Sequence, residues 1–198
     1  FGRISMCLNE KQPSDLPVND MDNVCFMLIN DYENKHKYEL GVGPLNDGYI
    51  FANHMNKMGY KVFYLYNTES DKFSDFLAFF MKNTSSYLTM FYTGRVMNKS
   101  RGISFAKTAL SQESMENIIT QNYNGQSHVV FVTDSLESGS AFNIDKLPYK
   151  TMISIAVKKK IDPKSIVVSY DKHYHGIFTY YLVKEITRNP AATPREIV

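Results

Sequence analysis

The residues best suited to chemistry form a polar cluster directly after a short apolar run. The run, Val129–Val132, has the length and composition of a strand that is buried on both faces. The polar residues that follow it are Asp134, Ser135, Glu137, Ser138 and Gly139. An open α/β sheet places its ligands and reactions at the carboxyl ends of its strands, where such carboxylates and hydroxyls could act. Leu136, at the centre of the cluster, offers no reactive group.

The histidines and cysteines do not have the spacing of a metal site. His173 and His175 are two residues apart, and no third ligand pattern near them supports zinc. His54 falls on the apolar stripe of a helix, which is typical of a packed residue. Cys7 and Cys25 form neither a metal motif nor a disulfide framework, and Cys25 lies in an apolar run. The sequence therefore predicts no metal and no cofactor.

The charge of the chain is balanced, since 22 basic and 20 acidic residues give a formal net charge of +2. This balance does not indicate nucleic acid or a membrane surface as a partner. A basic tract, Lys158–Lys160 with Lys164 nearby, is typical of a solvated turn, and no nucleic-acid motif accompanies it. No apolar stretch approaches the ~20 residues of a membrane helix. The chain begins at Phe1 rather than at methionine, as a fragment of a longer protein would.

A length of 198 residues suits one domain with a substantial core. Short apolar runs alternate with segments of helical spacing. The predicted strands are Val24–Asn30, Lys61–Tyr66, Tyr87–Tyr92, His128–Asp134, Thr151–Val157 and Ser165–Tyr170. The predicted helices begin at Asn46 or Asp47, at Ser70 or Asp71, after Ser111, and at His175, the last ending at Thr187. This alternation predicts an α/β fold with a mostly parallel sheet of about six strands and helices on both faces.

The predicted domain boundaries follow from composition. Residues 1–23 are predicted to be an N-terminal arm, residues 24–188 the folded domain and residues 189–198 a tail. Residues 97–110 are predicted to form a hairpin or a surface loop. The last two strands are either successive strands of the sheet or one strand and a hairpin arm.

Four segments resemble, in this order, motifs of the caspase-like cysteine peptidases and especially of the metacaspases. They are Leu28–Asn30 with Leu45–Asp47, then Phe91–Val96, Asp134–Gly139 and Gly176–Leu182. The first is similar to the family's first strand and the Asn-Asp start of its next helix. The others are similar to its Tyr-Ser-Gly-His-Gly element, its Asp-Ala-Cys-His-Ser-Gly element and its Gly-x-Phe-Thr-Tyr-x-Leu helix. The resemblance implies a three-layer caspase-like sandwich over residues 24–188.

At the two catalytic positions of that family the sequence departs from the pattern. The resemblance places Arg95 at the position of the catalytic histidine and Leu136 at that of the nucleophilic cysteine. Cysteine catalysis needs a thiolate beside a base, whereas leucine is no nucleophile and arginine stays protonated. The expectation is therefore a pseudoenzyme, without peptidase activity. A surrogate nucleophile, Ser135 or Cys25, is less favoured, because no histidine lies where it could activate Ser135 and Cys25 is expected to be buried.

The resemblance also implies a pocket for a basic side chain. Its acids match Asp47 and Asp134, Thr93 replaces a neighbouring serine, and Glu137 belongs to the same motif as Asp134. In one interpretation the pocket binds Arg or Lys of a partner through charge-assisted hydrogen bonds. In the preferred one, Arg95 of the same chain fills the cleft and pairs with Asp134 or Glu137. Two half-buried carboxylates need a nearby cation to stay ionised at low cost.

These observations predict a scaffold, a structural component of an assembly, or a regulator of an active caspase-like relative. The alternative is an active caspase-like cysteine endopeptidase that prefers a basic residue before the cleaved bond and has a displaced catalytic site. The expected partners are proteins, not nucleic acid or membrane. The cysteine usage and the lack of a visible signal peptide favour the cytoplasm, where cytoskeletal association is one setting for an assembly.

Overall fold

The computed structural model describes residues 1–33, 39–97, 101–135, 147, 152–156, 167–170 and 173–191, with the backbone alone at 152–156, 167–170, 173–175 and 177. The first strands are β1 (Met6–Cys7), β2 (Asn23–Ile29), β3 (Lys61–Tyr66), β4 (Tyr87–Thr93), β5 (Val96–Met97) and β6 (Gly102–Ser104). The later strands are β7 (Ala109–Ser111), β8 (His128–Asp134), β9 (Met152–Ala156), β10 (Val167–Tyr170) and β11 (His173–Gly176). The helices are α1 (Gly43–Lys57), α2 (Ser70–Asn83), α3 (Gln112–Asn122) and α4 (Ile177–Arg188).

The central sheet has six strands in the order β1-β3-β2-β4-β8-β9, and every pairing in it is parallel. The predicted α/β class with a mostly parallel sheet is therefore confirmed. β5, β6 and β7 form a separate antiparallel sheet that extends one residue beyond each end of the segment 97–110, which was predicted to be a hairpin or a surface loop. β10 pairs antiparallel with β11 as a hairpin, which decides the open question about the last predicted strand.

Helices cover both faces of the sheet, because its central strands are apolar on both sides. β2 is buried from Val24 to Ile29 without interruption. Alternate residues of each strand point to opposite faces. One face packs against α2 and α3, through residues such as Phe73, Phe80 and Ile119. The other packs against α1 and α4, through residues such as Phe51 and Leu182.

The chain reverses its direction across the sheet after β3, and this reversal creates a crevice. From β2 it moves to β3 by way of α1, and from β3 it returns past β2 to β4 by way of α2. Right-handed crossovers in opposite directions place α1 and α2 on opposite faces. The carboxyl ends of β2 and β4 then flank a topological switch point, the position at which open α/β sheets bind ligands.

Two helix starts differ from the prediction. α1 begins at Gly43, before the predicted Asn46 or Asp47, with Pro44 in its first turn. Proline suits this position because its fixed φ is already helical and it lacks an N–H that would be unsatisfied there. α4 begins at Ile177 rather than at His175, because the pairing of β10 with β11 continues to Gly176.

Part of the segment predicted to be an N-terminal arm packs on the domain. β1 pairs with β3 at one edge of the sheet. Leu8, Leu16 and Met21 are buried in the same core cluster as α2. Apolar residues scattered through a polar segment gave no periodic signal. The predicted C-terminal tail lies mostly outside the described residues.

Candidate functional site

Three strands of the sheet end at the same level, where the candidate site lies. Ile29 of β2 is opposite Thr93 of β4, and Thr93 is opposite Asp134 of β8. Thr93 and Asp134 are both buried. Strand alternation places their side chains on the face covered by α1 and α4, since Phe91 and Val132, two residues earlier in each strand, belong to the core cluster of that face.

Helix α1 brings Asp47 to the same place. Asp47 lies in the first two turns of α1 and is 2% exposed. The next residue, Gly48, allows α1 to approach β2 closely, because a Cβ at Gly48 would overlap the side chain of Ile29. This contact fixes Asp47 near the carboxyl end of β2, where the sequence resemblance implied one acid of a pocket.

The beginning of α4 holds both acids by hydrogen bonds. α4 has Gly176 at its N-cap, with no side-chain cap of its own. The N–H of Gly176 donates to the carboxyl of Asp47, at 2.8 Å from Oδ2 and 3.0 Å from Oδ1. Oδ2 of Asp134 accepts hydrogen bonds from the hydroxyl of Thr179 at 2.5 Å and from its N–H at 3.2 Å. The two carboxyls therefore supply the missing cap of the helix.

The carboxyls of Asp47 and Asp134 converge on Gly176 at the start of α4. A Cβ at Gly176 would lie 2.5 Å from Oδ2 of Asp134 and 2.7 Å from Oδ2 of Asp47. Both distances are shorter than any ordinary contact of a methyl group. The two carboxyls therefore pack directly against Gly176, and only glycine lets α4 approach them this closely. We name the group formed by Asp47, Asp134, Gly176 and Thr179 the acid pocket.

Gly176→Ala is expected to destabilise the protein by about 1–3 kcal/mol, because the new methyl group must displace two buried carboxyls. Urea unfolding measures this loss. Gly43→Ala is the matched control: nothing lies within 4 Å of its added Cβ, and it stands at the start of α1. That control is expected to leave stability unchanged or slightly raised. Equal effects of the two substitutions would contradict the close approach at Gly176.

The electrostatics of the acid pocket disfavour two ionised carboxyls. Burial, together with the charge of Asp134, raises the pKa of Asp47 to about 9, although the N–H of Gly176 acts in the opposite direction. Burial also raises the pKa of Asp134, while the hydrogen bonds from Thr179 lower it. Asp47 is consequently protonated at neutral pH, and a cation entering the pocket would favour its ionised form.

Arg95 follows β4 in a turn that is held rigidly by two tyrosines. Its N–H donates to the hydroxyl of Tyr32 at 2.9 Å, and its carbonyl accepts from the hydroxyl of Tyr92 at 2.7 Å. Tyr32 is buried and has a φ of +61°, a conformation that is costly for a bulky residue. A Cβ at Gly94 would lie 2.5 Å from the same Tyr92 hydroxyl oxygen. The backbone of Arg95 is therefore tightly specified.

The structure thus brings together Asp47, Thr93 and Asp134, three of the predicted pocket residues. The Asp134 carboxyl accepts hydrogen bonds from Thr179, and within the described ranges no ion pair joins it to Arg95. The predicted pairing of Arg95 with Glu137 involves a residue outside the described part. Leu136, matched to the nucleophile position, also lies outside it.

Sequence reasoning missed the roles of Gly176 and Thr179. Both belong to the motif Gly176–Leu182, which was matched to a helix without a function for either residue. The signal that could have identified them is the lack of a capping side chain before α4. A buried helix start without a cap must find acceptors elsewhere, and carboxylates are the preferred ones.

The remaining candidates lie apart from the acid pocket or do not form a site. His54 is close to Thr187 of α4, with Nδ1 3.3 Å from the hydroxyl, and burial beside Lys57 lowers its pKa. Cys25 is fully buried in β2, and burial raises its pKa well above the ordinary range. Cys7 is exposed in β1. Within the described ranges no cluster of three or more His, Cys, Asp or Glu residues could hold a metal ion.

None of the described helices is long and apolar enough to cross a membrane. This finding concerns only the part of the chain that the structure covers.

Comparison with known proteins places the fold among the caspases. No protein-family model and no curated protein sequence matches the chain. The structure of pro-sf-caspase-1 aligns over 94% of this chain and 75% of its own, with 11% identity and a TM-score of 0.60. Caspase-1 from Spodoptera frugiperda aligns over 89% of this chain and 75% of its own, with 12% identity and a TM-score of 0.61. The chain therefore has a caspase-like fold.

The comparison contradicts the expectation that the chain is not an enzyme. The solved structures that share its fold are those of caspases, a family of cysteine peptidases, and nothing in the described residues shows inactivity. The expectation of a pseudoenzyme was wrong. It relied on matching two single residues, Arg95 and Leu136, to catalytic positions by motif order. At this level of identity motif order does not determine where a reactive group lies in space. The position of Leu136 relative to the acid pocket is outside the described residues.

Proposed function

We propose that this caspase-like domain binds polypeptides by accepting an arginine or lysine side chain in the acid pocket. The observation that carries the proposal is the convergence of two buried carboxyls, those of Asp47 and Asp134, at the carboxyl end of the sheet. Two buried carboxyls in such proximity are costly to ionise without a cation. The guanidinium group of arginine presents five donors and could serve both carboxyls at once.

The position of the pocket supports this proposal. Asp134 lies at the carboxyl end of β8, next to the crevice between β2 and β4 where open α/β sheets bind ligands. The resemblance of the sequence motifs to metacaspases also implies a basic side chain at these acids. The partner is a protein, either a component of an assembly in which the domain is a scaffold or a caspase-like relative that it regulates.

A calorimetric titration with Nα-acetyl-arginine-N-methylamide tests the proposal. Its citrulline analogue is the matched control, because it has nearly the same shape without the charge. The wild-type domain is expected to bind the arginine compound at least about tenfold more tightly, and Asp134→Asn to remove this difference. Affinity is expected to rise between pH 6 and pH 8, since the bound cation must displace the proton of Asp47. Equal binding of the two compounds, or no binding of either, would refute the proposal.

A second candidate is a cysteine endopeptidase that cleaves after arginine or lysine, with a catalytic site displaced from the positions of Arg95 and Leu136. The caspase-like fold favours it. Of the two thiols, Cys7 is exposed and Cys25 is buried. Hydrolysis of arginine- and lysine-containing fluorogenic peptides that disappears in Cys7→Ser or Cys25→Ser would assign this function. Hydrolysis that is unchanged in both variants would exclude a cysteine mechanism.

A further inference from the structure

Thr179 donates two hydrogen bonds to the Asp134 carboxyl. Thr179 is fully buried in the first turn of α4. Its hydroxyl oxygen is 2.5 Å and its backbone nitrogen 3.2 Å from Oδ2 of Asp134. Two donors from one residue on one oxygen fix both the position and the rotation of the carboxyl group. Charge-assisted hydrogen bonds of this kind are about twice as strong as neutral ones.

The two carboxyl oxygens of Asp134 differ in their hydrogen bonding. Oδ2 accepts both hydrogen bonds from α4, whereas Oδ1 accepts none from the residues that the structure describes. A carboxylate can accept about four hydrogen bonds. Asp134 therefore retains acceptor capacity for a ligand while its orientation is already determined, which is the condition for a preorganised binding site.

We propose that Thr179 is a positioning residue of the acid pocket, which orients Asp134 so that Oδ1 receives the basic side chain of the partner. This inference rests on the proposed cation binding and adds the residue that controls it. The same hydrogen bonds join the pocket to the start of α4, so a bound cation and the helix start share one carboxyl.

The role of Thr179 can be measured from the pH dependence of cation binding, which also depends on the ionisable groups around Asp134. α1 contributes Asp47, whose charge disfavours the ionised pair. β4 contributes the neutral Thr93, followed in the chain by Arg95, and β9 contains no ionisable residue. β11 carries His173 and His175, whose side chains are outside the described part. Since the Thr179 hydrogen bonds lower the pKa of Asp134, loss of its hydroxyl must shift cation binding to higher pH.

The experiment compares Thr179→Val, which lacks the hydroxyl, with Thr179→Ser, which retains it. The probe is Nα-acetyl-arginine-N-methylamide, titrated calorimetrically from pH 6 to pH 9. Thr179→Val is expected to bind about tenfold more weakly at pH 7 and to recover at high pH. Thr179→Ser is expected to match the wild type. The upward shift in the pH dependence of binding caused by Thr179→Val is expected to persist when His173→Gln or His175→Gln is added. A shift that disappears in these double variants would assign the effect to the histidines and overturn the inference.

Thr133→Val is the control for the loss of a buried threonine hydroxyl. Thr133 is next to Asp134, is fully buried, and has a hydroxyl without a hydrogen-bond partner among the described residues. Thr133→Val is expected to leave binding of the arginine compound unchanged. If Thr179→Val does not fold, Thr179→Ala replaces it in the comparison with Thr179→Ser. Absence of binding by the wild type would refute the proposed function and this inference with it. Wild-type binding with equal affinities for the Thr179 and Thr133 variants would overturn the inference alone.

Discussion

Asp47→Asn is expected to make the protein more stable at pH 8 and to flatten the dependence of its stability on pH. In the folded protein the pKa of Asp47 is raised to about 9, whereas an unfolded aspartate has a pKa of about 3.9. Between these values the folded state holds one proton more than the unfolded state. The free energy of unfolding therefore falls as pH rises, by up to about 1.4 kcal/mol per pH unit.

Asparagine removes this dependence because it has nearly the same shape and no charge, and its amide oxygen can still accept the N–H of Gly176. Urea unfolding from pH 5 to pH 8.5 measures the slope. Asp75→Asn, at an exposed carboxyl of α2, is the control and is expected to retain the slope of the wild type. A slope that is equally steep in Asp47→Asn would contradict the raised pKa. The gain in stability should accompany weaker binding of arginine, as is common when a functional site is neutralised.

Phe51→Ala is expected to cost about 3–5 kcal/mol of stability and to lower Tm by on the order of 10 °C. Phe51 is 2% exposed and stacks on Phe91 of β4, with ring centroids 4.4 Å apart. It is one helical turn after Asp47, so it anchors the part of α1 that carries the pocket acid. Loss of the ring leaves a cavity between α1 and the sheet.

Thermal unfolding followed by circular dichroism measures this effect. Tyr49→Ala is the matched control, because Tyr49 is an aromatic residue of the same helix that is 49% exposed. Its loss is expected to cost less than about 1 kcal/mol. We also expect Phe51→Ala to weaken arginine binding, since Asp47 is then held less firmly. A Tm equal to that of the Tyr49 variant would show that the stacked ring does not anchor α1.

Elements with a strong local pattern were predicted with correct limits. β3 and β8 coincide with the predicted Lys61–Tyr66 and His128–Asp134, because a buried strand requires an uninterrupted or alternating apolar run. α2 begins at the predicted Ser70, and Ser111 caps α3 as predicted, accepting a hydrogen bond from the N–H of Ser114. These signals are local, and tertiary contacts do not override them.

Elements that depend on distant partners were predicted less well. β1 is only two residues long and exists because β3 offers an unpaired edge. Helical spacing alone predicts the start of α4 at His175, but the pairing of β11 with β10 extends the strand to Gly176. Hydrogen bonds to another strand determine such boundaries, and the local sequence does not indicate where these bonds form.

The sequence by itself determined the α/β class, because strand and helix patterns are local properties, and its resemblance to metacaspase motifs implied a caspase-like fold and pointed to Asp47 and Asp134. Only the tertiary structure decided how those acids are held. Asp47 and Asp134 come from different elements, and the start of α4 joins them through Gly176 and Thr179. The raised pKa of Asp47 follows from burial and from the neighbouring charge, which exist only after the chain has folded.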